Sequence, residues 1–308
     1  MKNNLLKTFQ NKLSGFLVLI LKPLYLTLER SKIGRLAIYK LQKPNTLLVA
    51  EASNLKFVVN SSDMAIGFTT YVNKRAFDSE KLGSLLSLLP PSSSGEGIIL
   101  FDLGANIGTI CIPAVTQGLV SEALAFEPDP NNYALLVSNI AINDLSDKIR
   151  HFNYALVADG DPAELKFELD FLNWGDHRIR VTDEPGIHKE EDRKVISVET
   201  AKLDDFAEQL DFRRALIWMD VQGFEGYVLR GSKKFTDSKV PIVTEFWPYG
   251  LKRAGCFDMF IESIVSASYS TIVDSNDLET KHSCSRQALL NLASHYGDVG
   301  FGTDLLIY

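Results

Sequence analysis

The sequence predicts an α/β protein: a mostly parallel sheet with helices on both faces. Three observations point there. From residue 98 onward, short continuous apolar runs that read as buried strands alternate with helix-like segments. The first run, ILFDL at 99–103, breaks into a glycine-bearing turn, GANIG at 104–108, before a second apolar stretch. The next run, ALAFE at 123–127, also ends in an acid.

The elements follow in chain order. Residues 1–44 form a basic, apolar arm. Its run KLSGFLVLILKPLYLTLER is interrupted by Lys22 and Pro23, falls short of the ~20 apolar residues that span a bilayer, and precedes no small-residue cleavage pattern. Two readings stay open for it: a helix packed on the body or a loosely ordered arm, against a segment lying on an anionic membrane surface. Residues 45–91 lead into the core, with TLLVAE and LKFVVN as a small antiparallel pair and DSEKLGSLLSLL as a helix ended by Pro90 and Pro91. PPSSSGEG is a linker by composition.

The main domain is expected over 92–308. ILFDL is its first strand, and IGTICIPAVTQG is a helix stopped by Gly118. ALAFE is the second strand. Asp129 and Pro130 then sit as N-cap and first-turn proline of a helix whose buried face is Tyr133, Leu136, Val137 and Ile140. KIRHFNYAL, ALIWMDV and PIVTEFW supply strands three to five, and TDLLIY closes the chain. An insertion at about 161–199, with AELKFEL and RKVISV as extra strands, is of the kind that shapes a substrate site.

Charge and cysteine usage narrow the function. The chain carries −7, but residues 1–50 hold nine Lys or Arg against the single acid Glu29, a net +8, which leaves −15 for the rest. An acidic body does not coat nucleic acid, because phosphate neutralisation needs a basic face. Cys111, Cys256 and Cys284 lack zinc or disulfide-framework spacing and suit a cytoplasmic, reducing setting as buried hydrophobes. The five histidines are scattered, so no transition-metal cluster is expected.

In a sheet of this kind the ligand lies at the carboxyl ends of the strands, where their order reverses. The first turn is a poor dinucleotide fingerprint, since Asn106 and Thr109 stand where G-x-G-x-x-G needs its later glycines. The spacing D-x-G-x-x-x-G, from Asp102 through Gly104 to Gly108, instead suits an amino-acid moiety joined to adenosine. Gly104 and Gly108 admit close backbone approach, and Asp102 can meet an ammonium group. Glu127 can accept both ribose hydroxyls. S-adenosyl-L-methionine has these parts. Asn106 lies within the turn, Asn131 beside the ribose acid, and the loop from Asn153 to Leu156, with Ala155, near the base.

FDLGANIGTICIPA, AFEPDPNNYALLVSNIAIN, LDDF, LIWMDVQGFEGYVLRGS and PIVTEFW, taken together and in order over about residues 60–308, resemble the FkbM family of S-adenosylmethionine-dependent methyltransferases. The resemblance implies a Rossmann-like class I methyltransferase sheet with an antiparallel last strand. It also implies O-methylation of a hydroxyl on a sugar, glycan, lipid or secondary metabolite. One departure is visible: many members carry a lysine two residues before the fourth-strand aspartate, where this chain has Trp218.

In that architecture the ends of strands four and five face the methyl group. Asp220 is then the first candidate for base or acceptor-orienting group, with Glu225 and Glu245 next. Glu225 has the alternative of capping its own helix. Asp220 and Glu245 could together hold a divalent cation, although no spacing demands a metal. His177 is a candidate base whose alternative is a surface loop position. Trp174 and Trp247 are either acceptor-stacking or core aromatics. Two other classes share the features: an NAD-dependent oxidoreductase on the same βαβ geometry, and a non-catalytic nucleotide-fold protein docking to membranes through residues 1–43. Oligomeric state is open.

Overall fold

The computed structural model describes residues 21–89, 97–208, 210–298 and 302–308. The first twenty residues of the arm, most of the PPSSSGEG linker and the prolines expected to end its preceding helix lie outside them. Residues 21–30 are helical (α1), followed by α2 (Lys32–Lys40), the antiparallel pair β1 (Leu47–Ala52) and β2 (Leu55–Asn60), α3 (Ile66–Asn73) and α4 (Ser79–Leu86). The core then runs β3 (Ile99–Leu103), α5 (Cys111–Thr116), β4 (Glu122–Phe126), α6 (Pro130–Ile142) and β5 (Ile149–Phe152). After it come β6 (Ala155–Leu156), β7 (Glu164–Leu169), β8 (Arg178–Ile179), β9 (Lys194–Ala201) and β10 (Ala215–Met219). The remainder is α7 (Glu225–Arg230), α8 (Lys233–Asp237), β11 (Ile242–Phe246), α9 (Pro248–Arg253), α10 (Phe257–Ser266), β12 (Thr271–Asp274), β13 (Asp277–Ser283), α11 (Arg286–Tyr296) and β14 (Thr303–Ile307).

Eight strands form the main sheet in the order β13-β12-β14-β11-β10-β3-β4-β5. β3 pairs in parallel with both β4 and β10, β10 with β11, and β14 runs antiparallel to β11 and β12. The class I arrangement with its antiparallel last strand is therefore present. The strand order reverses between β3 and β10, which opens a crevice at their carboxyl ends. Alternation along the strands gives each face its own core. Leu100, Leu216 and Val243 face α4–α6 and the N-terminal elements, while Phe101, Ile217 and Ile242 face α7, α8, α10 and α11.

Two expectations need correction, and one element is new. KIRHFNYAL is two strands: β5 stays in the main sheet, and β6 leaves it to pair with β9 in a second sheet, β6-β9-β7-β8, built by the insertion. The buried face of α6 is Asn132, Leu135, Leu136, Asn139 and Ile140, rotated from the expected stripe. The cause is polar. Asn139 Oδ1 accepts from Val58 N (2.6 Å), and its Nδ2 donates to Ile107 O (2.9 Å) and Val58 O (3.3 Å), so α6 covers the open edge of β2 with an amide. Finally, the β12–β13 hairpin was not anticipated, because β13 alternates weakly and is largely exposed. Asn139→Ala should lower stability by about 1–3 kcal/mol, the cost of leaving buried backbone groups unpaired. Urea unfolding checks it, and an unchanged midpoint would mean that the edge is satisfied without this amide.

Candidate active site

A cavity of about 560 Å³ occupies the crevice. At its floor, Gly104 has φ +88°, its N–H and that of Ala105 both donate to Phe126 O (2.9 Å each), and a Cβ on it would lie 1.9 Å from Asp220 O. The turn is thus clamped between the ends of β4 and β10. Asn106, also left-handed at φ +51°, donates from its backbone N to Glu127 Oε2 (2.8 Å) and from Nδ2 to Trp174 O (3.1 Å). That contact draws the insertion over the cavity.

Glu127 lines the cavity with one backbone donor on each oxygen, Asn106 N on Oε2 and Asp129 N on Oε1 (2.8 Å). Burial, with the Asp129 carboxylate beside it, pushes its pKa up to about 8. Each oxygen keeps a further lone pair for a hydroxyl donor. Asn131, the expected neighbour, is exposed and spends its N–H on the N-cap Asp129; Asn132 lines the cavity instead. Its Nδ2 donates to Trp174 O (3.1 Å), and its buried Oδ1 has no partner. At the same end stand Phe126, Tyr154, Ala155 and Leu156, while Asn153 Nδ2 ties the loop down by donating to Glu127 O (2.7 Å) and Pro128 O (3.0 Å).

Two residues of the first motif act from outside the lining. Asp102 is fully buried: its Oδ2 accepts from Cys111 N (3.1 Å) at the start of α5, and its Oδ1 has no partner. Burial raises its pKa to about 6. Gly108, at φ +90°, is a packing position, since a Cβ there would come within 2.6 Å of Ile112 Cδ1. Neither residue lines the cavity.

The other end of the cavity is acidic. Asp220 follows β10, Glu245 lies on β11, and Asp304 lies opposite Glu245 on β14. Gln222 Nε2 donates to Asp220 Oδ1 (2.6 Å) and Glu245 Oε2 (3.3 Å), holding both carboxylates with one amide. Lys81 of α4 bonds Asp304 Oδ2 (2.7 Å) and Asp78 Oδ2 (3.2 Å) and is the sole Lys or Arg of the described lining. Burial raises the Asp220 and Glu245 carboxyls, and neighbouring acids push them further up. Among the described residues, no group of three or more potential ligands is arranged to hold a metal ion.

Glu225 is not part of this constellation. It is fully buried outside the lining, and its Oε1 accepts from Val221 N (3.1 Å) and Gly223 N (3.2 Å), so it shapes the turn that presents Asp220. His177 does line the cavity, buried rather than on the surface. Its Nδ1 accepts from Asp170 N (3.0 Å), which assigns the proton to Nε2, and Nε2 lies 3.7 Å from Asp129 Oδ2. Burial, with Arg193 opposing the charge, lowers its pKa to about 4, so it stays neutral. Trp174 lines the cavity. Trp247 is a core residue, with Arg178 stacked 4.7 Å over its ring.

Sequence reasoning missed Asn132, Asp78, Lys81, Gln222 and Asp304. Asp304 carried a usable signal, as an acid inside an apolar closing strand. Asp78 and Lys81 had no more than an i, i+3 spacing at a helix start.

A mostly parallel sheet of this order, with a glycine turn and a strand-end acid at its switch point, defines a class I methyltransferase architecture. Residues 102–266 match the Methyltransferase FkbM domain, and the chain belongs to that family. A curated relative, 2-O-methyltransferase NoeI of Sinorhizobium fredii, is 29% identical over 161 residues, covering 48% of this chain and 63% of that protein. The chain therefore spans somewhat less than two thirds of that relative. Among solved structures, M. jannaschii TYW2 in complex with AdoMet is 12% identical with a TM-score of 0.38, covering 87% of this chain and 86% of that one. Precorrin-6y C5,15-methyltransferase from Geobacter metallireducens is 10% identical with a TM-score of 0.37, covering 74% and 87%. Family membership places the turn in a methyltransferase domain rather than in a dinucleotide-binding one. Asp78, Lys81 and Asp304 lie outside the matched segment, so the acidic wall is completed from both flanks.

Proposed function

We propose that this chain transfers a methyl group from S-adenosyl-L-methionine to a hydroxyl on a sugar, glycan, lipid or secondary metabolite. The observation that carries the reading is one cavity with two chemically different ends: Glu127 and Asn132 with aromatic walls at one, paired carboxylates at the other. The residues fit the cofactor. The backbone of Gly104 and Ala105 lines the cavity where an amino-acid moiety would lie, Glu127 and the unpartnered Asn132 Oδ1 suit a ribose diol, and Phe126, Tyr154 and Leu156 suit adenine. The relative named as a 2-O-methyltransferase supports a hydroxyl acceptor.

When bound, S-adenosyl-L-methionine supplies an electrophilic methyl group on a sulfonium. The protein's own work is alignment and proton removal. Asp220, fixed at Oδ1 by Gln222, takes the hydroxyl proton of the acceptor, and Glu245 shares the same amide and the same raised basicity. His177 and Trp174 close the cavity from the insertion side. Isothermal titration should show micromolar S-adenosyl-L-methionine binding. Glu127→Ala should weaken it about 10- to 100-fold, the loss of two hydrogen bonds to the ribose hydroxyls. Unchanged affinity in that variant would remove the ribose assignment.

A further inference from the structure

The first described helix is inside out. On α1 the half-buried side chain is the acid Glu29, whose carboxylate accepts from Tyr71 Oη–H (2.9 Å) and pairs with Lys74 Nζ (3.2 Å). Leu21, Leu24, Tyr25, Leu26 and Leu28 stand exposed around it instead. A helix facing water does the reverse. The orientation is built in. A Cβ on Gly34 would lie 2.1 Å from Leu28 O, so α2 closes tightly on the end of α1, and Arg35 Nη1 donates to Glu29 O (3.0 Å). Beyond it, Ile33 is 80% and Leu41 83% exposed, and Leu47 points outward from β1.

Cations surround these apolar side chains. Lys22, Arg30, Lys32, Lys40 and Lys43 are all exposed, while the single acid of the first fifty residues is tucked away against Lys74. No described helix is long and apolar enough to cross a bilayer. We infer that α1, α2 and the turn into β1 dock the protein on an anionic membrane surface, leucines in the acyl boundary and lysines on the headgroups. The charge division of +8 against −15 orients the body away from the lipid. A second copy is the poorer occupant, because it would set the same exposed cations against each other.

Flotation of the full chain with phosphatidylcholine vesicles, with and without phosphatidylglycerol, tests this without any assay of methyl transfer. Recovery is expected with the anionic vesicles and not the neutral ones, and it should fall with salt. The triple reversal Lys32→Glu, Lys40→Glu, Lys43→Glu should reduce partitioning at least about 100-fold. Leu24→Ser with Leu28→Ser should reduce it too, with thermal unfolding unchanged as the check on folding. Three results would overturn the inference: no recovery of the full chain, a dimer in sedimentation that forms in place of vesicle binding, or binding that neither variant alters. The last would assign attachment to residues 1–20.

Discussion

Gly104→Ala is expected to abolish S-adenosyl-L-methionine binding and to cost several kcal/mol of stability. Two effects add. A left-handed backbone costs a residue with a Cβ about 1–2 kcal/mol, and Gly104 sits at φ +88°. The new methyl would also lie 1.9 Å from Asp220 O. That carbonyl cannot retreat cheaply, because Asp220 N donates to Leu103 O (3.0 Å) and ties the ends of β3 and β10 together. Relief must come from opening the strand ends, which displaces both the turn that would receive the cofactor and the carboxylate that would receive the proton. Gly118→Ala separates the two effects, since Gly118 has φ +71° and nothing within 4 Å of its Cβ position. Thermal unfolding of both variants should show the smaller loss at 118, and titration should show binding retained there. Equal losses at the two positions would mean that the Asp220 contact contributes nothing.

How far the sequence led follows from what each signal depends on. Buried parallel strands read clearly because both faces are covered, which leaves continuous apolar runs such as ILFDL and ALIWM. The Asp129–Pro130 helix start was legible because capping is local: Asp129 accepts from Asn131 N and Asn132 N. The split of KIRHFNYAL was not, because nothing local says that β6 will prefer β9, some forty residues away, to the main sheet. In the site, strand-end position predicted that Glu127 and Asp220 would face ligand space. It also suggested Glu225, whose carboxylate turns inward to the amides of Val221 and Gly223. The Lys81–Asp304 pair joins residues 223 positions apart, beyond any pattern in the chain.

Asp220→Asn is expected to lower the rate of methyl transfer by about 10²–10⁴, the usual worth of a positioned general base, with little change in S-adenosyl-L-methionine affinity. Labelled donor with a pooled glycan and lipid acceptor fraction provides the assay. Asparagine preserves an acceptor for Gln222 Nε2, so the turn should stay in place and the loss should report chemistry. The pH dependence gives a second readout. Burial raises the Asp220 carboxyl, Asp304 and Asp78 raise it further, and Gln222 and Lys81 oppose them. The base must be ionised, so activity should climb with pH along a limb well above the ordinary carboxylate range. That limb belongs to Asp220 and Glu245 jointly. Lys81→Met, which removes the opposing cation, should move it higher still. The stability sign is opposite to the activity sign. An acid whose folded pKa exceeds its unfolded value holds a proton in the native state that the unfolded chain has released, so stability falls as pH rises between the two values. Asp220→Asn should therefore melt higher than the parent at pH 8 and no higher at pH 4. A variant that lost rate but gained nothing in melting temperature at pH 8 would show that the native carboxylate is not strained by its surroundings. Retained rate would remove Asp220 as the base.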